Sequence, residues 1–279
     1  MVEAIDAHVH VRTGDRAASD SAEFRQAAKL FDAEDGPVDV AAYYRERNMQ
    51  AIIFDVDSHT RTGERPSNDE IAALVGASDG TLIGFATVDP WAQQAAVNEL
   101  DRCVQLGLRG LKVQPITQDF ELDDPRFRPL WGFCQDAGLP VLVHTGTTGI
   151  GANSAGGGGL QLSRGRPVPH VDNVAAAFPC LTLIAAHFGW PWFLEALAVA
   201  RHKQNVFLDL SGWAPKYVPQ EVVQHMNSVM PHKFIFGSDF PLLTPDRWLA
   251  EFDAFDLKAG VRERVLHDNI AGILGLERK

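Results

Sequence analysis

Residues 82–113, LIGFATVDPWAQQAAVNELDRCVQLGLRGLKV, predict one complete strand–helix–strand unit, and this unit decides the fold class. The apolar runs at its two ends, 82–88 and 108–113, alternate little, as expected of parallel strands that are buried on both faces. Over 91–106, apolar residues recur every three to four positions, which is the period of an amphipathic helix. Asp89, followed by a proline, is typical of the residue that caps such a helix at its N-terminus.

The same alternation runs through the rest of the chain. The further apolar runs that predict strands are 2–7, 51–57, 140–144, 181–186, 206–211 and 234–238. The further helical patterns are 39–48, 68–77, 125–137, 171–178, 191–202, 219–229, 246–257 and 261–275. Eight strands alternating with helices predict an α/β fold, a single (β/α)8 TIM barrel that forms one domain over residues 1–279. An open doubly wound sheet is the alternative, and it is disfavoured because no G-x-G-x-x-G pattern follows a strand.

Composition excludes several other classes of protein. A chain of 279 residues with a net charge of −11 has no overall attraction to nucleic acid or to an anionic membrane. Its three cysteines are odd in number and form no C-x-x-C pair, which argues against a disulfide framework and a cysteine zinc site. Cys103 and Cys134 lie in helical patterns, where burial is expected. The N-terminal MVEAIDAHVH does not resemble a signal peptide, so we expect a cytoplasmic protein without membrane partners.

Side chains suited to metal binding fall at the ends of the predicted strands, where barrel enzymes carry their active sites. In DAHVH, which ends the first strand, His8 and His10 are two residues apart and therefore share one face. His144, His187 and Asp239 end the fifth, sixth and eighth strands. Each of these alone is more often a buried, hydrogen-bonded residue. Together they predict a site for a divalent ion such as Zn²⁺ or Mn²⁺, with a position open for water or substrate.

The order DAHVH, VHTG, AAHFG and FGSDFP resembles the amidohydrolase superfamily, most closely the branch that includes aminocarboxymuconate semialdehyde decarboxylase. The resemblance extends from residue 5 to DNIAGILGL near the end of the chain. It implies a barrel with one catalytic divalent metal and, in many members, a homodimer. The implied metal ligands are His8, His10, His144 and Asp239, and the resemblance makes His187 either a neighbour of the metal or a catalytic histidine. GGGGLQLSRGRP and DLSGWAPKY also resemble a subgroup described as hydrolases of 4-hydroxyphenyl-β-ketoacyl-CoA.

Lys112 leaves the number of metal ions open. It lies in GLKVQP at the end of the fourth strand, about where binuclear amidohydrolases carry a carboxylated bridging lysine. It could bridge two ions, or remain cationic and hold a substrate carboxylate or enolate, or cap a barrel layer through a salt bridge. We favour one ion, Zn²⁺ rather than Mn²⁺, and a cationic Lys112; a second metal is expected only if Lys112 is carboxylated.

Two long loops offer candidate substrate contacts. The loop after His144 contains Arg164 and Arg166, whose guanidinium groups suit a carboxylate or phosphate, although each alone could be a solvated loop residue. The loop after the seventh strand contains Trp213 and Tyr217, which suit an aromatic or planar ligand. We therefore expect a small anionic or aromatic substrate.

Three functions are compatible with these residues. The first is a metal-dependent hydrolase in which a metal-activated water attacks a carbonyl, ester or β-keto group, with an aromatic acyl-CoA among the candidate substrates. Asp239 would move the proton and His187 would polarise the carbonyl. The alternative is a non-oxidative decarboxylase of an aromatic or unsaturated acid, in which Asp239 protonates the carbon that loses CO₂. A non-catalytic ligand-binding barrel is disfavoured because binding alone needs no such set of ligands.

Overall fold

The computed structural model describes residues 2–17 and 39–276 as strands and helices in alternation. The strands are β1 Ala4–His10, β2 Met49–Phe54, β3 Leu82–Gly84, β4 Ala86–Thr87, β5 Leu111–Val113, β6 Val141–Val143, β7 Leu183–Ala185, β8 Val206–Asp209 and β9 Phe234–Ile235. The α-helices are α1 Val40–Glu46, α2 His59–Thr62, α3 Asn68–Ala77, α4 Gln94–Gln105, α5 Arg128–Asp136, α6 Asp172–Ala177, α7 Phe193–His202, α8 Gln220–Gln224, α9 Pro245–Phe252, α10 Val261–Glu263 and α11 Asn269–Leu274.

All paired strands are parallel, and they form two groups. The first group has the order β1-β2-β3, and the second runs in order from β4 to β9. The first group continues into the second at Phe85, whose backbone N–H donates to Ile53 O at 2.9 Å. At the other end, Ala7 N donates to Phe236 O at 3.0 Å, and Val9 pairs with Phe240. The sheet therefore closes on itself. Because β3 and β4 form one strand interrupted at Phe85, this is the predicted eight-stranded barrel.

The predicted helices are present, with local interruptions. The helix predicted at 68–77 has the bounds of α3. In the segment 91–106, a 3₁₀ turn over Pro90–Ala92 precedes α4, because Gln93 takes a left-handed conformation with φ of 48°. The C-terminal segment is likewise divided, by a π-helical turn between α10 and α11. Apolar periodicity locates the buried face of a helix but is insensitive to such local changes of winding.

A bulge in β1 turns both candidate metal ligands on this strand, His8 and His10, into the barrel. Ile5 and Ala7 belong to the apolar layer inside the barrel, whereas Val9 belongs to the layer between strands and helices. Strict alternation after Ala7 would point His8 outward. Instead the β1–β2 register shifts between Asp6 and Val9, and the His8 ring lies against Phe54, which belongs to the inner layer.

Other predictions concern exposure and domain organisation. Cys103 and Cys134 are buried as predicted, and Cys180 is exposed. Across the two described ranges, the helices are too short or too polar to cross a bilayer. The prediction of one domain over 1–279 includes residues outside those ranges and stays a prediction.

Candidate active site

Three predicted ligands meet at the carboxyl end of the barrel. The ligand atoms of His8, His10 and Asp239 all lie within 4.8 Å of one another. Asp239 Oδ1 is 3.3 Å from His8 Nε2 and 3.2 Å from His10 Nε2. Two imidazole nitrogens and one carboxylate oxygen converging on one point are a donor set that suits Zn²⁺ or Mn²⁺.

Asp209 and Ser211 set the orientation of the His8 ring through contacts with Nδ1, the nitrogen that faces away from the cluster. His8 Nδ1 lies 2.6 Å from Asp209 Oδ2 and 3.0 Å from Ser211 Oγ, which leaves Nε2 to face the cluster. Burial, together with the nearby Lys112, lowers the pKa of His8 well below its ordinary value, so the ring is neutral. A neutral imidazole whose second nitrogen is held by a carboxylate is the usual form of a metal-binding histidine. The residues therefore fit a metal ion.

A buried carboxylate joins the two segments that carry these ligands. Asp6 accepts hydrogen bonds from His8 N at 3.1 Å and from Ser238 N at 2.9 Å, so it contacts the backbone beside both His8 and Asp239. The hydroxyl groups of Ser238 and Tyr44 also donate to Asp6, at 2.5 and 2.7 Å. Burial raises the pKa of Asp6 to about 6 even though these four donors lower it. Asp6 is thus a fixed connection between β1, α1 and the segment after β9.

Lys112 lies beside the cluster, wholly buried. Its Nζ is 3.1 Å from His8 Nε2 and 4.7 Å from the centre of the Phe54 ring. Burial lowers the pKa of Lys112 to about 8, and the charges of Asp239 and Asp209 oppose that shift. Because His8 donates from Nδ1, its Nε2 has one lone pair, which Lys112 and a metal ion cannot share.

His144 and His187 form a second pair next to the first. His144 Nδ1 is 3.1 Å from His187 Nε2, and the other nitrogen of His144 faces Thr147 O at 3.0 Å. His187 Nδ1 lies 3.0 Å from Ser211 Oγ. Burial lowers the pKa of His187 to about 4 and that of His144 well below its ordinary range, so both rings are neutral. In this arrangement the nitrogens of His144 face His187 and Thr147 rather than the three-ligand cluster.

A pocket opens over these side chains, and His10, His144, His187 and Asp239 line it. Trp213, one of the predicted substrate contacts, also lines it, with Trp190 packed behind at a ring distance of 4.1 Å. The pocket therefore combines the candidate metal cluster with an aromatic wall.

The structure does not bring the other predicted substrate residues into this pocket. Arg164 pairs with Asp119 at 3.2 Å, and Arg166 pairs with Glu195. Tyr217 is 59% exposed. Together with the buried Lys112, these residues are absent from the described lining of the pocket.

Sequence reasoning missed several residues that the structure places in the pocket or beside His8. Arg12, Arg16 and Arg61 line the pocket, and Asp209 orients His8. One signal for Arg12 was its position two residues after His10, on the same face of an extended chain. One signal for Asp209 was its place at the end of a predicted strand. No such pattern marked Arg61, which lies on the short helix α2.

The fold and this cluster define a TIM-barrel protein with a candidate divalent-metal site at the carboxyl ends of its strands. The sequence profile of the amidohydrolase family matches residues 5–276, and the chain belongs to that family. This confirms the resemblance seen in the motifs. Within the chain, 78 residues are 31% identical to 2-amino-3-carboxymuconate-6-semialdehyde decarboxylase from Dictyostelium discoideum. That match covers 28% of this chain and only 22% of the relative.

Solved structures share the fold over nearly the full length. An uncharacterised TIM-barrel protein from Bordetella bronchiseptica superposes with a TM-score of 0.82 at 20% identity, covering 98% of both chains. A dihydroxybenzoic acid decarboxylase from Polaromonas, solved with bound manganese and the inhibitor 2-nitroresorcinol, superposes with a TM-score of 0.66 at 17% identity. That match covers 100% of this chain and 98% of the other. At sequence identities this low, the structural similarity establishes that the chain has the barrel fold.

Proposed function

We propose that this chain is a divalent-metal-dependent carboxy-lyase that removes CO₂ from a small aromatic or unsaturated carboxylic acid. The observation that carries the proposal is the convergence of His8, His10 and Asp239 beside a pocket with an aromatic wall. The decarboxylases among the relatives favour this function over hydrolysis, which remains the alternative on the same scaffold.

The proposed metal ligands are His8 Nε2, His10 Nε2 and a carboxylate oxygen of Asp239. The family resemblance adds His144, whose ring would have to give up a present partner to join them. Zn²⁺ and Mn²⁺ both suit this donor set. A bound ion would supply Lewis-acid stabilisation of the negative charge on the substrate. Lys112 must then release His8 Nε2, and its amine becomes available to a substrate oxygen or to carboxylation.

Asp239 is the group proposed to move the proton. Burial raises its pKa, but the hydrogen bond from His10 and the charges around it hold that pKa below the ordinary value, so Asp239 is ionised at rest. It takes a proton from solvent or from the incoming substrate and delivers it to the carbon that bears the carboxylate. The carbon–carboxylate bond then breaks, its electron pair returns to the substrate, and CO₂ leaves. His187, a neutral ring whose Nδ1 is held by Ser211, would accept a hydrogen bond from a substrate hydroxyl at Nε2 once that nitrogen leaves His144.

Isotope labelling with the metal-loaded protein distinguishes decarboxylation from hydrolysis. A panel of hydroxybenzoates, unsaturated acids and aryl esters is incubated in D₂O and, separately, in ¹⁸O-labelled water, with Asp239→Asn as the control. Carboxy-lyase activity releases CO₂ and leaves one deuterium on the product carbon without ¹⁸O in the organic product. Label from ¹⁸O-water in an organic product, without CO₂, would replace the proposal by hydrolysis.

Metal content per chain tests the proposed cofactor. About one equivalent of zinc or manganese in protein purified without chelator supports a single ion and a cationic Lys112. Two equivalents that fall to one in Lys112→Ala would instead indicate a carboxylated lysine between two ions. Light scattering of the same sample tests the proposed homodimer.

A further inference from the structure

One buried hydroxyl group, that of Ser211, contacts both pairs of histidines in the candidate site. Its Oγ lies 3.0 Å from His8 Nδ1 and 3.0 Å from His187 Nδ1. It also donates to Asp209 Oδ2 at 2.7 Å, and the backbone N–H of Ser211 donates to Asp209 Oδ1 at 2.8 Å. Because Ser211 is wholly buried and bonded twice to Asp209, its hydroxyl is fixed at the point where the two pairs meet.

The ring of His187 is packed between Ser211 and His144. The His187 backbone is left-handed, with φ of 57°, two residues after the end of β7. A Cβ atom added to Gly212 would collide with His187 Nδ1, so the ring lies directly on the backbone of Gly212. On its other side, His187 Nε2 lies 3.1 Å from His144 Nδ1. Since both ring nitrogens have partners, those partners decide which nitrogen carries the proton.

The single proton of the Ser211 hydroxyl decides the direction of these hydrogen bonds. The Asp209 carboxylate is its strongest acceptor, because a hydrogen bond to a charged group is roughly twice as strong as one between neutral groups. With that proton directed to Asp209, Ser211 Oγ can only accept from His187, so His187 carries its own proton on Nδ1. The opposite direction would leave Ser211 Oγ and Asp209 Oδ2 without a proton between them at 2.7 Å, unless Asp209 itself were protonated.

The tautomer of His144 follows from that of His187. When His187 is protonated at Nδ1, its Nε2 has a lone pair and can only accept from His144 Nδ1. The neutral ring of His144 then has a lone pair on Nε2, which faces the carbonyl oxygen of Thr147 at 3.0 Å. Two acceptors meet there, but both are neutral, so this contact is less unfavourable than an unprotonated contact at Asp209. The lone pair on His144 Nε2 is therefore available to a metal ion or to a hydrogen-bond donor.

We infer that Ser211 is a positioning residue whose hydroxyl fixes both His187 and His144 in the Nδ1-protonated tautomer. It does so because its own proton is held by Asp209. This inference deepens the proposed function, on which it rests only for the part that His187 plays in the reaction. His187 Nε2 would accept a proton or a hydrogen bond from the substrate rather than donate one. His144 would present the unprotonated Nε2 that metal binding requires, with its Nδ1 proton held by a partner, as is usual for a histidine ligand.

NMR spectroscopy of the chain labelled with ¹⁵N-histidine reads the tautomers directly, because protonated and unprotonated ring nitrogens have widely separated chemical shifts. Spectra are recorded on the metal-free and the zinc-loaded chain at about pH 8.5, above the pKa of Asp209, which burial raises to about 7. His187→Gln and His144→Gln assign the signals by their loss. We expect a protonated Nδ1 and an unprotonated Nε2 in both rings, with and without zinc. A protonated Nε2 in either ring of the wild-type chain would overturn the inference.

Variants test whether the Ser211 hydroxyl is responsible. Ser211→Ala should move the His187 signals toward the average of the two tautomers, whereas Ser211→Thr keeps the hydroxyl and should keep the wild-type shifts. Ser228→Ala, which removes an exposed hydroxyl that donates to Gln224 O, is the matched control and should change nothing. Wild-type shifts in folded Ser211→Ala would show that other contacts fix the ring. Averaged shifts in Ser211→Thr as well would assign the effect to packing rather than to the hydroxyl.

The spectra need no turnover, so this inference and the proposed function can fail separately. Rings protonated at Nδ1 in a chain that releases no CO₂ from any acid would reject the lyase and leave the role of Ser211 standing. CO₂ release by a chain whose rings are protonated at Nε2 would do the reverse.

Discussion

His8 Nδ1 lies 2.6 Å from Asp209 Oδ2, and this contact decides which nitrogen of His8 faces the candidate metal cluster. Asp209 ends β8, which only β9 separates from β1 in the closed sheet, so two strands distant in sequence determine one ring orientation. Burial raises the pKa of Asp209 to about 7, against the hydrogen bonds from Ser211. The contact is therefore costly in desolvation, and such a contact is expected where a ligand must be held in place.

Asp209→Asn should weaken metal binding about 10- to 100-fold while the barrel stays folded, because the amide holds the His8 ring less firmly than the carboxylate does. Competition with a chromophoric chelator measures the affinity, and circular dichroism verifies the fold. Asp253→Asn, at an exposed ion pair with Arg262, is the matched control. Unchanged affinity in Asp209→Asn would show that Asp209 does not orient the ligand.

Asp239→Asn should lower turnover at least about 10²-fold, since general acid–base groups contribute about 10²- to 10⁴-fold. The amide can neither accept nor deliver the proton. Rates are measured at saturating metal, and metal content is determined on the same samples. A near-normal rate in a fully metal-loaded variant would contradict the acid–base role of Asp239. If the variant instead loses metal but keeps its turnover rate per bound ion, Asp239 acts only as a metal ligand.

Asp6→Ala should destabilise the chain by about 3 kcal/mol or more, because it leaves several buried donors without their acceptor, at about 1–3 kcal/mol each. The donors are His8 N, Ser238 N, Ser238 Oγ and Tyr44 Oη. Urea unfolding measures the loss, with Asp101→Ala on the exposed face of α4 as the control. The d–d spectrum of the Co²⁺-loaded chain should also change in Asp6→Asn, since both ligand segments shift. An unaltered spectrum would make Asp6 a purely structural residue.

One cysteine, Cys180, should react rapidly with a thiol reagent in the native protein at pH 8, and all three should react after unfolding. Burial raises the pKa of the Cys103 thiol to about 12 and that of the Cys134 thiol further still. Because the thiolate is the nucleophile, reaction of these two is suppressed until the pH approaches those values or the chain opens. A titration with a chromogenic disulfide, using Cys180→Ser as the control, counts the groups. Two or more fast thiols in the native state would contradict this assignment.

Much of this protein followed from local sequence patterns. Apolar runs located all eight barrel strands, and three-to-four periodicity located the helices, because each element must bury its own face. The pairing of His8 with His10, and the positions of His144, His187 and Asp239 at strand ends, followed from the rule that barrel sites lie at those ends. The family resemblance followed from the same motifs.

Other features depended on contacts between distant segments. Arg164 and Arg166 look like ligand-binding residues in sequence, yet in the structure each pairs with a nearby acid, whereas Arg12 and Arg61 line the pocket. Apart from the position of Arg12 two residues after His10, nothing local distinguishes these pairs, because the direction of a long side chain depends on the partners that surround it.

The sequence by itself determined the barrel, its order of strands and helices, and the ends of the strands that hold the candidate ligands. Those features arise from periodic burial and from the chirality of parallel β–α–β connections, both of which act over short stretches of chain. The tertiary structure alone decided the bulge that turns His8 inward, the carboxylates of Asp6 and Asp209 that fix the ligands, and the arginines that reach the pocket. These features depend on closure of the sheet, which brings β1 against β9 and places the end of β8 within reach of His8. The contacts that hold them therefore form only once the whole barrel has closed.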